Sequence, residues 1–229
     1  MSNSYLITAA IISTSFLIPS IVGACRFRLL DRPARIFWGL VLLAFVSDLI
    51  AIYYAINPAV NGKGNIKVYN IAGITFTSCV CIYFNSFSRE FLKREVGLYL
   101  GILSIIFGIL NSCFIQSLDT PNTYFRIYQC LAIICMGLTS LGLIVIKPGY
   151  VNVRREPHFW LFSALVFFWS FIYLHLLLYD HFKVLFPQYQ WIIAYSIFFA
   201  NIIYNIFVAV VFMLYPKMTK PHGSSQNKL

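Results

Sequence analysis

Acidic residues are almost missing from this sequence: it has 7 Asp and Glu against 17 Lys and Arg in 229 residues. With only 10% of its residues charged and 60% hydrophobic, the chain has too little polar side chain to coat a water-soluble core. The scarcity also removes whole classes of chemistry. HExxH, GxSxG and glycine-rich phosphate loops do not occur, no two carboxylates share the interior of an apolar stretch, there is no His cluster of metal-ligand spacing, and the Cys79–Cys81 pair is too close for a zinc or redox pair. No catalysis, metal or cofactor is therefore expected. The last apolar stretch contains no interior lysine, so a retinal Schiff base of the rhodopsin kind has nowhere to form.

What the chain does have is long apolar runs. Seven can be counted, at about 5–24, 36–55, 68–87, 96–116, 127–146, 158–179 and 189–214, each near the ~20 residues that span hydrocarbon as helix. The expected fold is all-α, a polytopic bundle of seven transmembrane helices over residues 1–215. Residues 216–229 would form a short disordered tail, because they are rich in Pro, Gly and Ser. A small-residue box at 21–25, "IVGAC", loosely resembles a lipoprotein cleavage site. The start "MSNSYLITAA" lacks the basic residues of a signal peptide, so the first helix is read as uncleaved.

The net charge of +10 is a topology signal rather than a nucleic-acid footprint. Arg26, Arg28, Arg32, Arg35, Arg89, Lys93, Arg94, Lys147, Arg154, Arg155, Lys217, Lys220 and Lys228 fall in alternate connections and the tail. Only Lys63, Lys67, Arg126 and Lys183 fall on the opposite side. Positive residues concentrate on the cytoplasmic side, which puts the N-terminus outside and the C-terminus in the cytoplasm of a cell membrane. The partner this composition demands is the lipid bilayer, with the basic clusters near anionic headgroups and no role for nucleic acid. Many of the aromatics, 18% of residues, fall at the expected interfaces, where ring and polar tip suit the headgroup level.

Six cysteines, at 25, 79, 81, 113, 130 and 135, sit within or at the edges of these stretches and read as small apolar residues. Cys113 and Cys130 both fall toward the outer face, which leaves a bridge between them open. Gly97, Gly101, Ser104 and Gly108 recur at steps of four, three and four, forming one small-residue stripe for close helix packing. Packing inside one bundle and packing in a homo-oligomer both fit. In the seventh stretch Asn201, Asn205 and Ala209 share a face, and carboxamides in lipid need partners, so that face should point inward.

One acidic residue, Asp48, interrupts "LLAFVSDLIAIYY" at 42–54. Such a residue marks a functional site unless it is neutralised, paired or wetted. With no Lys or Arg inside the seven stretches, it is expected to hold a proton and to pair with Asn201, at similar depth, with Asn205 beside it. Asn70, Asn111, Gln129 and His175 concentrate in the outer half. Together with Asp48 and Asn201 they outline a pocket open to the outside, with Trp169 and Tyr173 as its aromatic candidates. The duller reading is that these groups are interhelical hydrogen-bonding glue.

The order of features across the chain is an acidic residue in helix two, "YN" opening helix three, "EPHFW" leading helix six and "NIIYNI" in helix seven. It resembles the seven-transmembrane input regions of bacterial sensor kinases. The resemblance implies a sensor or accessory membrane protein. Because no kinase or other output follows Tyr215, signalling would pass to a separate cytoplasmic or membrane partner. The alternative is a small-solute carrier of seven-helix topology, built from two three-helix repeats about a linker. Against it, Pro19 in the first stretch has no counterpart in the fifth, and the polar positions of the second and third do not recur.

Overall fold

The computed structural model describes residues 3–57, 64–92, 94–146, 153–185 and 190–218. Of the expected tail, residues 219–229 lie outside the described residues. The described chain is helical throughout, with no strand. Helix α1 spans Asn3–Arg26, α2 Arg32–Ile56, α3 Gly64–Leu92, α4 Val96–Leu110, α5 Thr123–Ile146, α6 Pro157–Leu185 and α7 Gln190–Met218. A π-helical turn, Asn111–Ile115, ends α4, and two short 3-10 turns follow α1 and precede α6.

Local sequence accounts for several helix starts. Asp31 caps α2, its side chain accepting from the Ala34 amide at 2.9 Å, with Pro33 in the first turn where its missing N–H costs nothing. The start of α4 is held by its neighbour. Asn85 of α3 accepts from the Gly97 amide at 3.1 Å and donates to Glu95, which also pairs with Arg89 at 3.0 Å.

Helices α1, α2, α3, α5, α6 and α7 close a ring in that order, while α4 lies outside it against α3. One end of the ring carries Asn3 and the α2–α3 and α4–α5 connections. The other carries Arg26, Arg28, Arg94, Arg154, Arg155 and Lys217 and is called here the basic end. The two halves are packed differently. Phe37, Tyr83, Phe162, Phe212 and Tyr215, the largest fully buried side chains, all belong to the basic half. There Tyr83 stacks on Phe162 with ring centroids 4.8 Å apart and meets Phe37 edge-on at 5.1 Å.

The outside of the bundle is the reverse of a water-soluble surface. Ile109, Phe114, Ile146 and Phe167 are all exposed, as part of an apolar belt. Six of the described helical stretches are long and apolar enough to cross a bilayer. The chain is thus a multi-pass helical membrane protein.

The small-residue stripe meets α3 within the same chain. Gly97, Gly101, Ser104 and Gly108 are all buried. A methyl group at Gly97 would collide with the Cys81 carbonyl and the Asn85 backbone, neither of which can swing away. At Gly101 the nearest atom to such a methyl would be Cys81 Cβ at 3.3 Å, a contact that small shifts relieve. At Gly108 it would meet the Ile74 side chain at 2.6 Å, which must turn aside. Gly97→Ala is therefore expected to destabilise the protein by about 2 kcal/mol, and Gly101→Ala by well under half of that. Thermal unfolding of the purified variants measures both, and equal losses would mean that α4 is not seated against α3 as described.

Candidate functional site

Above the dense basic half the ring is hollow. A cavity of about 410 Å³ opens between the helices, within the range of small-molecule sites. Its wall is mostly apolar and aromatic. Leu40, Val41 and Ala44 of α2, Phe76 of α3, Phe168, Trp169 and Ile172 of α6, and Phe198 and Tyr204 of α7 supply the body, and Phe16 of α1 closes one side. Among the described residues, Ser47, Tyr69, Arg126, Gln129 and Asn201 bring polar groups to this wall, beside the Tyr204 hydroxyl.

The helices place these polar groups at distinct levels. Tyr69 and Arg126 lie one to two turns inside the N-terminal ends of α3 and α5, at the mouth. Gln129 comes one turn deeper on the same face of α5 as Arg126, because three residues nearly complete a turn. The Gln129 Nε2 donates to the Gly73 carbonyl at 3.1 Å, but its Oε1 and the Trp169 indole N–H are buried without a protein partner. Such groups are costly in apolar surroundings and belong where another polar molecule can reach them after a small side-chain turn. The half-buried Arg126 guanidinium has no carboxylate partner among the described residues.

Of the residues outlined from sequence, Gln129, Trp169 and Asn201 line the cavity. Asp48 stands just behind its mouth. Asp48 accepts from Ser13 Oγ at 3.1 Å and from the Tyr69 hydroxyl at 3.0 Å. Asn201 instead accepts from Asn205 Nδ2 at 2.8 Å, and Asn205 also donates to Ser15 Oγ at 2.9 Å. The expected Asp48–Asn201 pair is not formed, because α1, with its serines, stands between α2 and α7. Arg126, one residue before the fifth apolar stretch, falls in the first turn of α5, which begins at Thr123.

Asn70 and Asn111 belong to a different structure, a strap across the N-terminal end of α3. Asn70 Nδ2 donates to the carbonyls of Leu118 and Thr120 at 3.0 and 2.8 Å, and its Oδ1 accepts from the Asn122 amide at 3.2 Å. Asn111 bonds Asn122, which in turn donates to Ser112 Oγ at 3.1 Å. Lys67 and Asp119 add an ion pair at 3.1 Å. Tyr173 packs against the core beside the cavity, and His175 is half-buried away from its wall. All six cysteines are free thiols, with Cys113 exposed and Cys130 buried.

A second polar group, absent from the sequence-derived set, seals the basic end. His158 of α6 is 4% exposed and its Nδ1 lies 3.1 Å from the Tyr83 hydroxyl of α3. Its Nε2 lies 2.9 Å from Asp31 Oδ2 at the start of α2 and 3.4 Å from the Tyr215 hydroxyl of α7. A neutral ring protonated at Nε2 would donate to Asp31 and accept from Tyr83; a doubly protonated ring would donate to both. Burial pushes the Asp31 carboxyl up. The hydrogen bond and charge of His158, the Ala34 amide and the Tyr215 hydroxyl outweigh it and hold the carboxyl below its usual range.

The arrangement offers a mostly apolar pocket with few polar anchors and no nucleophile–base pair inside it. The fold and site define a multi-pass helical membrane protein with a cavity between its helices. No protein-family model, curated protein or solved structure matches the chain.

A carboxyl lowered in the folded state stabilises at pH values above its unfolded pKa, and that contribution is lost as pH falls through the lower folded value. Asp31→Asn should therefore reduce thermal stability at neutral pH, and the difference from wild type should shrink as pH falls below the ordinary carboxylate range. His158→Ala should cost more, about 2 kcal/mol, since it strands the buried Tyr83 hydroxyl as well. Thermal unfolding from pH 7 to pH 3 checks both. A gap for Asp31→Asn that widens in acid would contradict the assignment.

Proposed function

We propose that this chain is a receptor-like membrane protein without catalysis of its own. A small molecule bound in the cavity changes the basic end, where a separate signalling protein reads the change. In this reading all seven helices span the membrane, the N-terminus is outside, and the basic end faces the cytoplasm of the cell membrane. One observation carries the coupling. Helices α2, α3, α6 and α7 supply most of the cavity wall, and the same four are joined at the other end by Asp31, Tyr83, His158 and Tyr215. A ligand that spreads or draws in the wall acts on helices whose far ends converge on one imidazole. The packed layer of Phe37, Tyr83, Phe162 and Phe212 between the two sites is a rigid link rather than a passage. The carrier alternative would need that layer to part.

A substitution that fills the cavity can stand in for a ligand. Gly73 has room for a side chain, its nearest neighbour to an added Cβ being Gln129 Oε1 at 3.6 Å. In a cysteine-free protein with spin labels at positions 155 and 217, both exposed at the basic end, Gly73→Leu should shift the distance distribution by about 2 Å or more. An unchanged distribution in a folded Gly73→Leu protein would remove the coupling. Saturable solute accumulation by reconstituted vesicles would favour a carrier instead.

A further inference from the structure

We propose that the cavity takes an organic monoanion with an apolar body, and that Arg126 anchors its charged group. This deepens the binding reading above and rests on it. Three features of the cavity lead to that class of ligand. First, Arg126, in the first turn of α5, lines the cavity, lacks a carboxylate partner among the described residues, and is half-buried. A lone guanidinium in such a place gains most from a planar anion that can accept two parallel N–H bonds, which is what a carboxylate offers. Second, the one acid nearby does not fill that role. Asp48 stands behind Tyr69 with both oxygens occupied, by Ser13 and by the Tyr69 hydroxyl.

Third, the rest of the wall suits an apolar body with little polarity of its own. Below Arg126 it offers Phe76, Phe168, Trp169, Phe198 and Tyr204, and among the described residues the buried polar atoms still unpartnered there are Gln129 Oε1 and the Trp169 N–H. A cationic ligand would meet Arg126 with like charge, and a sugar would leave most of its hydroxyls facing aromatic rings. An aryl-alkyl or short fatty carboxylate meets the guanidinium with its charged end and the aromatic wall with its body, leaving Gln129 Oε1 and the Trp169 N–H to a side-chain turn or to water. It could come from water through the mouth or from the bilayer as a free fatty acid, and the chemistry at Arg126 is the same for both.

The test uses the full chain in bilayer nanodiscs of neutral lipid, with empty nanodiscs as the blank. Binding of 4-phenylbutyrate, 4-phenylbutanol and 4-phenylbutylamine is measured by calorimetry, since the three share one body and differ in charge. The acid should bind wild type about tenfold or more tightly than the alcohol, and the amine most weakly. In Arg126→Gln the acid should fall to the affinity of the alcohol, which should itself be nearly unchanged, and Arg126→Lys should recover part of the loss. Decanoate should also compete with 4-phenylbutyrate, when added to the water if the aqueous mouth is its route and only after preloading into the lipid if the bilayer is, and failure to compete by either route would overturn the carboxylate class. Equal affinity for acid and alcohol in wild type would overturn the anion assignment while leaving a binding cavity. No binding of any of the three would overturn the binding reading itself. The wild-type ranking decides the question even if Arg126→Gln does not fold.

Discussion

In hydrocarbon a polar group has no water to fall back on, so each one fixes the place where chains must meet. His158 is the clearest instance here. Its two nitrogens are spent on Tyr83 and Asp31, with Tyr215 close by, and that brings the start of α2, the later part of α3, the start of α6 and the end of α7 to one point. The aromatic layer of Phe37, Phe162 and Phe212 packs directly against this point. Because the helices are drawn together at the basic end, they are free to stand apart at the other, and the hollow follows.

The upper half is held by weaker and more distributed contacts. The strap at 116–122 is tied to α3 through Asn70, and α1 reaches α2 and α7 through Ser13 and Ser15. These are single hydrogen bonds between side chains or to loop carbonyls, each worth on the order of 1 kcal/mol in a membrane. Such a half can change shape without unfolding the other. Helix α4 adds breadth rather than wall, seated on α3 by glycines whose hydrogen atoms leave room for the α3 backbone.

Much of the architecture was legible in the sequence. Apolar runs of spanning length gave the helices, and the spacing of Gly97, Gly101, Ser104 and Gly108 gave a packing face that the structure sets against α3. The site was legible only in part. Gln129, Trp169 and Asn201 were found because polar and aromatic groups inside an apolar run stand out, but helix rotation and neighbour order are tertiary facts. That is why Asp48 was paired with Asn201 rather than with Ser13 and Tyr69. Arg126 was counted as a loop charge because it falls one residue before the apolar run, while the helix itself begins at Thr123. His158, within "EPHFW", is not legible as a site residue, since a histidine at a helix start carries no sign of the three helices it will meet. The Asp-Arg-Pro at 31–33, an N-cap before a first-turn proline, was the available signal for Asp31.

The central claim is a bundle open at one end and sealed at the other. It is tested most directly by sided labelling of a cysteine-free protein carrying Ser47→Cys or Ala72→Cys, both on the cavity wall. A membrane-impermeant thiol reagent applied outside intact cells should label both positions, and the same reagent applied only to the cytoplasmic face of inverted vesicles should label neither while still reaching Arg155→Cys. Labelling of the cavity positions from the cytoplasmic face would contradict the sealed basic end and the account built on it.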